Sequence, residues 1–245
     1  VGLNLALIAV GYLYQGHVAH AVTQLMTVDG YACFYMALIL FATLACVTLS
    51  YVYMDTHVGN REEFYLLLTL SAGGGLVLVS SSHMATLFVG IEILSVPLYG
   101  LVAYSFQRSR SLEAGIKYLV LSALSSAFLL FGMALIYAQT GSLLFTGIQE
   151  ALVSASETPV IAVAGFAMMF VALAFKLSLV PFHLWTPDVY EGAPAPVTAF
   201  LATVSKVAVF AILVKIVNVM PSLMNDGMQT VVMVIAGLSI LVGNL

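Results

Sequence analysis

The stretch Phe175-Lys-Leu-Ser-Leu-Val-Pro181-Phe-His-Leu-Trp185 places a lysine five residues before a proline inside an otherwise apolar run. Proline has no N–H to return to the carbonyl four residues back, so Pro181 frees the carbonyl of Leu177. The chain then continues through Tyr190 before Glu191-Gly-Ala-Pro-Ala-Pro196 stops it. We read a membrane span interrupted near 177–181 and continued by a short second piece. Interrupted helices are tolerated in a bilayer only where the loosened backbone is buried in protein or lines a cavity. In transporters they mark ion sites. The competing reading ends the span at the surface at Val180 and leaves Lys176 as a snorkelling end residue.

Working outward, the composition supports a membrane setting. Of 245 residues 62% are hydrophobic and 7% charged, with a mean hydropathy of +1.10. A soluble domain carries roughly 45–50% apolar and about 25% charged residues. This excludes a soluble enzyme, a disordered tail and a basic nucleic-acid binder. About 20 apolar residues cross the hydrocarbon, and eight candidate spans follow: 1–14, 31–54, 64–82, 84–106, 114–140, 160–180, 196–220 and 228–245. The runs are continuous rather than alternating, which disfavours barrel strands. The chain opens at Val1 and stops at Leu245 inside apolar stretches, as a piece of something longer would.

Charge placement sets the expected topology. Taking span ends in alternation, Arg61, Arg108 and Arg110 fall on one side and no Lys or Arg falls in the loops of the other, so the arginine loops are expected in the cytoplasm. Lys215, five residues before Pro221, reads as a snorkelling lysine near the outer end of its span. Residues 142–155 place Leu143, Leu144, Ile148, Ala151, Leu152 and Ala155 at helical spacing, either a short amphipathic surface helix or a packed loop. His17 and His20 are three apart but lack an accompanying thiol or carboxylate in that loop, so they read as loop polarity and no metal site is expected. His57 and His83 suit interfacial positions. Cys33 and Cys46 would sit ~20 Å apart on one helix, too far for a disulfide. There is no phosphate loop and no redox-centre spacing.

Ionisable residues inside the spans carry the functional signal. Glu92 lies eight residues, ~12 Å, into its span, and a charge there costs ~3 kcal/mol or more. Pro97 follows five positions later and frees the carbonyl of Ile93, making a polar notch. Lys206 sits ten residues into its span, near the midplane. Lys117 is either an anchor near the arginine loop or, if its helix begins near Ser109, a group drawn inward. An amine held out of water gives up its proton more readily, and an opposite charge nearby reverses this. Proton or cation transfer is the expectation for such a set. His183, beside the break, is either a proton-uptake group or an interfacial histidine bonded to backbone. Asp188 and Glu191 are expected to cap or shape their loop, and Trp185 to anchor at the interface.

The stretch from Lys176 to Lys206 resembles the signature of the antiporter-like membrane subunits of NADH–quinone oxidoreductase, respiratory complex I. Its Pro-Asp188-Val-Tyr-Glu-Gly-Ala-Pro-Ala-Pro-Val-Thr198 portion is similar to the chain N (subunit 2) branch. Glu92-Ile-Leu-Ser-Val-Pro-Leu-Tyr99 and Ala114-Gly-Ile-Lys117-Tyr-Leu match the same family. The resemblance implies an all-α polytopic bundle with inverted five-helix repeats, each holding a broken helix. On that template one membrane domain covers 1–245, with the first repeat at 64–220 and the second beginning at 228–245. It implies a proton relay through Glu92, Lys176, Lys206 and Lys117, coupled to quinone reduction in partner subunits. NADH, FMN, iron–sulfur clusters and quinone would belong to those partners, with no cofactor in this chain. Its neighbours would be the other membrane-arm subunits and the lipid of a bacterial inner membrane. The rivals are a subunit of a multisubunit sodium–proton antiporter and a structural spacer of the membrane arm.

Overall fold

A computed structural model describes the chain except residues 17–19, 56–60, 106, 156–158 and 245, and describes only the backbone of His20. His17 and His57 therefore lie outside the described residues. With no water to receive their backbone groups, long apolar runs satisfy them internally as helices. The elements are α1 (Gly2–Gln15), β1 (His20–Thr23), β2 (Met26–Val28), α2 (Gly30–Asp55), α3 (Arg61–Ser80), α4 (Met84–Val102), α5 (Ser109–Thr140), α6 (Phe145–Ser154), α7 (Val160–Leu177), α8 (Trp185–Gly192), α9 (Ala195–Phe200), α10 (Lys206–Val219) and α11 (Asp226–Gly243). A π-helical turn, Leu201–Ser205, joins α9 to α10 in one continuous rod, and a 3₁₀ turn, Pro221–Leu223, follows α10.

Among the described residues seven helices are long and apolar enough to cross a membrane: α2, α3, α4, α5, α7, the α9–α10 rod and α11. The protein is a multi-pass α-helical membrane protein. The expected spans are met within a few residues at most ends. Two boundaries differ in ways that matter. The fifth helix begins at Ser109 rather than 114, and the seventh stops at Leu177 rather than 180. At its far end α5 stops where Gly141 takes a left-handed φ of 66°, a conformation glycine adopts without strain.

The spans contain no strand, but one loop holds an antiparallel hairpin that the sequence reading did not anticipate. β1 pairs with β2, Met26 bridges Ser81, and Ser82 N–H donates to the carbonyl of Leu25. Phe145 N–H donates to Ser82, and Met84 N–H to Leu143. These contacts make a polar layer across one end of the bundle. Residues 142–155 form a helix as the spacing allowed, with Phe145, Ile148 and Leu152 buried. Its apolar face lies on the protein, against α5, α10 and the 3₁₀ turn, where Gln149 bonds Ser222. Cys33 and Cys46 are both free and buried.

His83 caps α4 in that layer, its Nδ1 accepting from Ala85 N–H at 3.0 Å. Burial pushes the His83 imidazole below its ordinary value, which favours the neutral ring that can accept. The cap is therefore present above the usual histidine range and is lost as pH falls through the lowered value. Hydrogen-exchange protection of the first amides of α4 should fall on acidification. His83→Asn should hold protection across the same range, and His83→Ala should lower it at every pH by the ~1 kcal/mol worth of a cap.

Candidate functional site: buried amines at a helix break

Three packed helices bring the first cluster together. Glu92 lies at mid-length in α4 and is half-buried. Ser126 on α5 donates to its Oε1 at 2.5 Å. Lys176, in the last turn of α7, is only 5% exposed. Its ammonium donates to Ser95 Oγ at 2.7 Å and Ser122 Oγ at 2.6 Å. Tyr99 hydroxyl and Ser122 Oγ are 2.7 Å apart, and the Tyr118 ring centroid lies 5.8 Å from the ammonium. Hydrogen bonds to a charged group are worth ~1.5–3 kcal/mol each, comparable to the cost of placing the charge there. Glu92 and Lys176 do not touch. Among the described residues the ion pairs within 4.0 Å are Arg61–Asp55, Arg110–Glu191, Lys117–Glu113 and Lys117–Asp188.

The break follows Lys176 directly. Ser178 takes a left-handed backbone with φ of 59°, and Leu179 N–H closes back on Ala174 carbonyl at 2.9 Å. The last carbonyls of a helix have no partner within it, and here each of three is met. Ala174 receives Leu179. Phe175 receives Ser178 N–H and Trp185 Nε1, each at 3.0 Å. The carbonyl of Leu177, the one that Pro181 frees, receives Lys206 Nζ at 3.3 Å. Ser122 lies thirteen residues, ~20 Å, from the start of α5, so the break it packs beside is deep. Lys206 follows directly on the π-helical turn, and its ammonium lies 5.8 Å from the Tyr190 ring. Such π insertions are common at functional sites. Val180 N–H reaches Ser239 Oγ on α11 at 3.0 Å.

Other candidates fall elsewhere. Lys117 is half-exposed and pairs with Glu113 and Asp188, each at 2.7 Å, outside hydrogen-bonding reach of the buried cluster. Arg110 pairs with Glu191 at 2.8 Å. Asp188 and Glu191 thus tie α8 to α5 around an open cleft of ≈ 220 Å³. His183 lies beside the break with its Nδ1 buried and unpartnered, as is the Tyr190 hydroxyl. Trp185, expected at the interface, is 5% exposed and stacks on Tyr118. It packs α8 back against α7 and does not anchor at a lipid boundary. Lys215, expected to snorkel outward, is 8% exposed and donates to Val79 carbonyl at 3.2 Å. That carbonyl is in the last turn of α3, where an ammonium also meets the negative end of the helix dipole. The serines were not singled out beforehand. Their signal was the spacing of Ser122 and Ser126, one turn apart, and of Ser95 three residues after Glu92.

Residues 81–245 match the family described as NADH:quinone oxidoreductase/Mrp antiporter, TM. The chain belongs to this family. NADH-quinone oxidoreductase subunit N of Ectopseudomonas mendocina (strain ymp) is 54% identical, over 100% of this chain and 50% of that protein. The chain thus spans about half the length of this curated relative. Among solved structures, respiratory complex I from Thermus thermophilus with bound aureothin is similar to it at a TM-score of 0.75 and 37% identity, covering 87% of this chain and 45% of the other. The Mrp complex from Dietzia sp. DQ12-45-1b shares the fold at a TM-score of 0.70 and 22% identity, covering 86% of this chain and 41% of the other. The antiporter-like fold expected from the signature stretch is the fold observed.

Close backbone contact fixes where Glu92 sits. A Cβ on Gly74 of α3 would lie 2.2 Å from Leu94 N, so Gly74→Ala must push α4 and its carboxylate away. Overpacking of this kind costs ~1–3 kcal/mol. Gly73→Ala, whose Cβ would meet nothing within 4 Å, should hold or slightly raise the melting temperature, as alanine does in place of an interior helical glycine, while Gly74→Ala lowers it by several degrees.

Proposed function

We propose that this chain forms part of a proton-translocating membrane subunit of NADH–quinone oxidoreductase, in which Glu92, Lys176 and Lys206 pass charge through the first repeat. One observation carries the reading: Lys206 reaches across from its own span to the carbonyl that the interruption after Lys176 frees. Two amines thereby share one break, Lys176 on its approach and Lys206 across it. A carboxylate on α4, held by Ser126, stands three residues before Ser95, which accepts from Lys176. A change in the distance between Glu92 and Lys176 alters how firmly the amine holds its proton.

The proton would arrive from the arginine-bearing side, taken as the cytoplasm. His183 Nδ1 and the Tyr190 hydroxyl, both with unused hydrogen-bonding capacity beside the break, are the uptake groups. Lys117 stands apart from this path and holds α8 on α5 through Asp188. The first repeat covers 64–220 and the second begins at 228–245. Electron transfer from NADH to quinone, with its flavin and iron–sulfur clusters, belongs to partner subunits of a bacterial inner-membrane complex, and its free energy reaches this chain through the membrane arm. Sodium–proton antiport is the second reading. The 54% and 37% identities, both to complex I proteins, favour the first.

The test uses the assembled complex in vesicles, with the full-length subunit carrying Glu92→Ala, Lys176→Ala or Lys206→Ala. Electron transfer should persist, and proton pumping per electron should fall by at least about tenfold, as when a proton-transfer group is removed. Unchanged pumping in a correctly assembled complex would leave the chain as a spacer. Pumping that requires sodium would favour antiport.

A further inference from the structure

Resting on that relay, we infer that Ser122 of α5, braced by Tyr99, is a positioning residue that holds the Glu92–Lys176 pair open. Opposite charges in a medium of low dielectric close to direct contact unless other partners hold them. Here they stay apart, and the partners that hold them are hydroxyls. Ser122 and Ser126 stand one turn apart on a single helix, where Cβ atoms lie ~5–6 Å apart. Ser126 engages the carboxylate at 2.5 Å and Ser122 the ammonium at 2.6 Å. The helix carrying both is fixed against α7 close by, since Ser125 Oγ donates to Ala172 carbonyl at 3.1 Å.

Hydrogen-bond direction explains why a hydroxyl, and not the carboxylate, should hold the amine. An ammonium only donates, whereas a neutral amine also has a lone pair that accepts. Ser122 Oγ accepts from the ammonium, with its own hydrogen free to turn to the Tyr99 oxygen 2.7 Å away. Once Lys176 has lost its proton, the same hydroxyl can turn and donate to it. Tyr99 can then donate to Ser122 in its place. Ser122 therefore meets both protonation states fully, while a carboxylate can only accept and so offers no hydrogen to the lone pair of the neutral amine. Ser95, the second acceptor at 2.7 Å, keeps the side chain in place during the exchange. The Tyr99 ring stands edge-on to Tyr118 at 5.3 Å, which keeps its hydroxyl aimed at Ser122.

The experiment places Ser122→Ala, Ser122→Thr, Tyr99→Phe, Glu92→Ala and Lys176→Ala in the full-length subunit of the assembled complex. Pumping per electron and a cryo-electron-microscopy structure are measured for each. Ser122→Ala should pump several-fold less per electron, and its Lys176 Nζ should move to within about 4 Å of the Glu92 carboxylate. Ser122→Thr, which keeps the hydroxyl, should restore both readouts. Tyr99→Phe should lower pumping in part with its ring packing intact, and it carries the test alone if Ser122→Ala does not assemble. Wild-type pumping in Ser122→Ala or Tyr99→Phe, or a loss that Thr does not rescue with the pair still apart, overturns the inference. Wild-type pumping in Glu92→Ala and Lys176→Ala would instead bring down the relay itself.

Discussion

An ammonium group placed inside an apolar bundle has to be met by oxygen atoms, and much of the packing around Lys176 serves that need. Ser95 comes from α4 and Ser122 from α5, while Lys176 itself stands on α7. Three helices must therefore keep their register for one side chain to be satisfied. The close approach of α3 to α4 at Gly74 and of α5 to α7 at Gly165, where a Cβ would lie 2.7 Å from Gly132 carbonyl, provides that register. The apolar core supplies the bulk of the packing, and these polar contacts select one arrangement of it.

The same constraint shapes the break. Ending a helix at depth leaves carbonyls that water cannot reach, so each must find a donor within the protein. For the Ala174, Phe175 and Leu177 carbonyls those donors are, in turn, Leu179 N–H, Ser178 N–H with Trp185 Nε1, and Lys206 Nζ. The last is itself an ionisable group on another span. A structural need, closing off Leu177, and a chemical capacity, holding a second amine next to the first, are met by one contact. Lys215 shows that burial alone does not make an amine part of this series. It closes the last turn of α3 at the opposite end of the α9–α10 rod.

Much of this was legible in the sequence, and the reasons differ by feature. The spans follow from apolar length. The break follows from Pro181, because a missing N–H frees the Leu177 carbonyl wherever the residue lies. Which group donates to that carbonyl could not be read, since it depends on how the α9–α10 rod crosses α7. Glu92 and Lys206 stood out by charge at depth, but the hydroxyls that hold Glu92 and Lys176 are ordinary serines, frequent in membrane helices for many reasons. Lys215 was misread because its distance from the helix end suggested an open exit, whereas α6 and the 3₁₀ turn pack over that end of the rod. Trp185 was misread for a related cause: interfacial placement is the common role of a tryptophan near a span end, and only tertiary packing shows its ring folded back on Tyr118. The hairpin was too short, at four and three residues, to show an alternating pattern.

The proposed relay requires Lys176 and Lys206 to change protonation as the assembled complex works. Nitrogen-15 magnetic resonance of lysine side chains labelled at the ζ position, with each signal assigned by its arginine variant, reads this directly in the assembled complex. Recorded at rest and under steady turnover, both residues should appear as a mixture of ammonium and amine whose proportions shift when electron transfer begins. Signals that remain ammonium in both conditions would contradict the account and leave the charges as fixed structural ties.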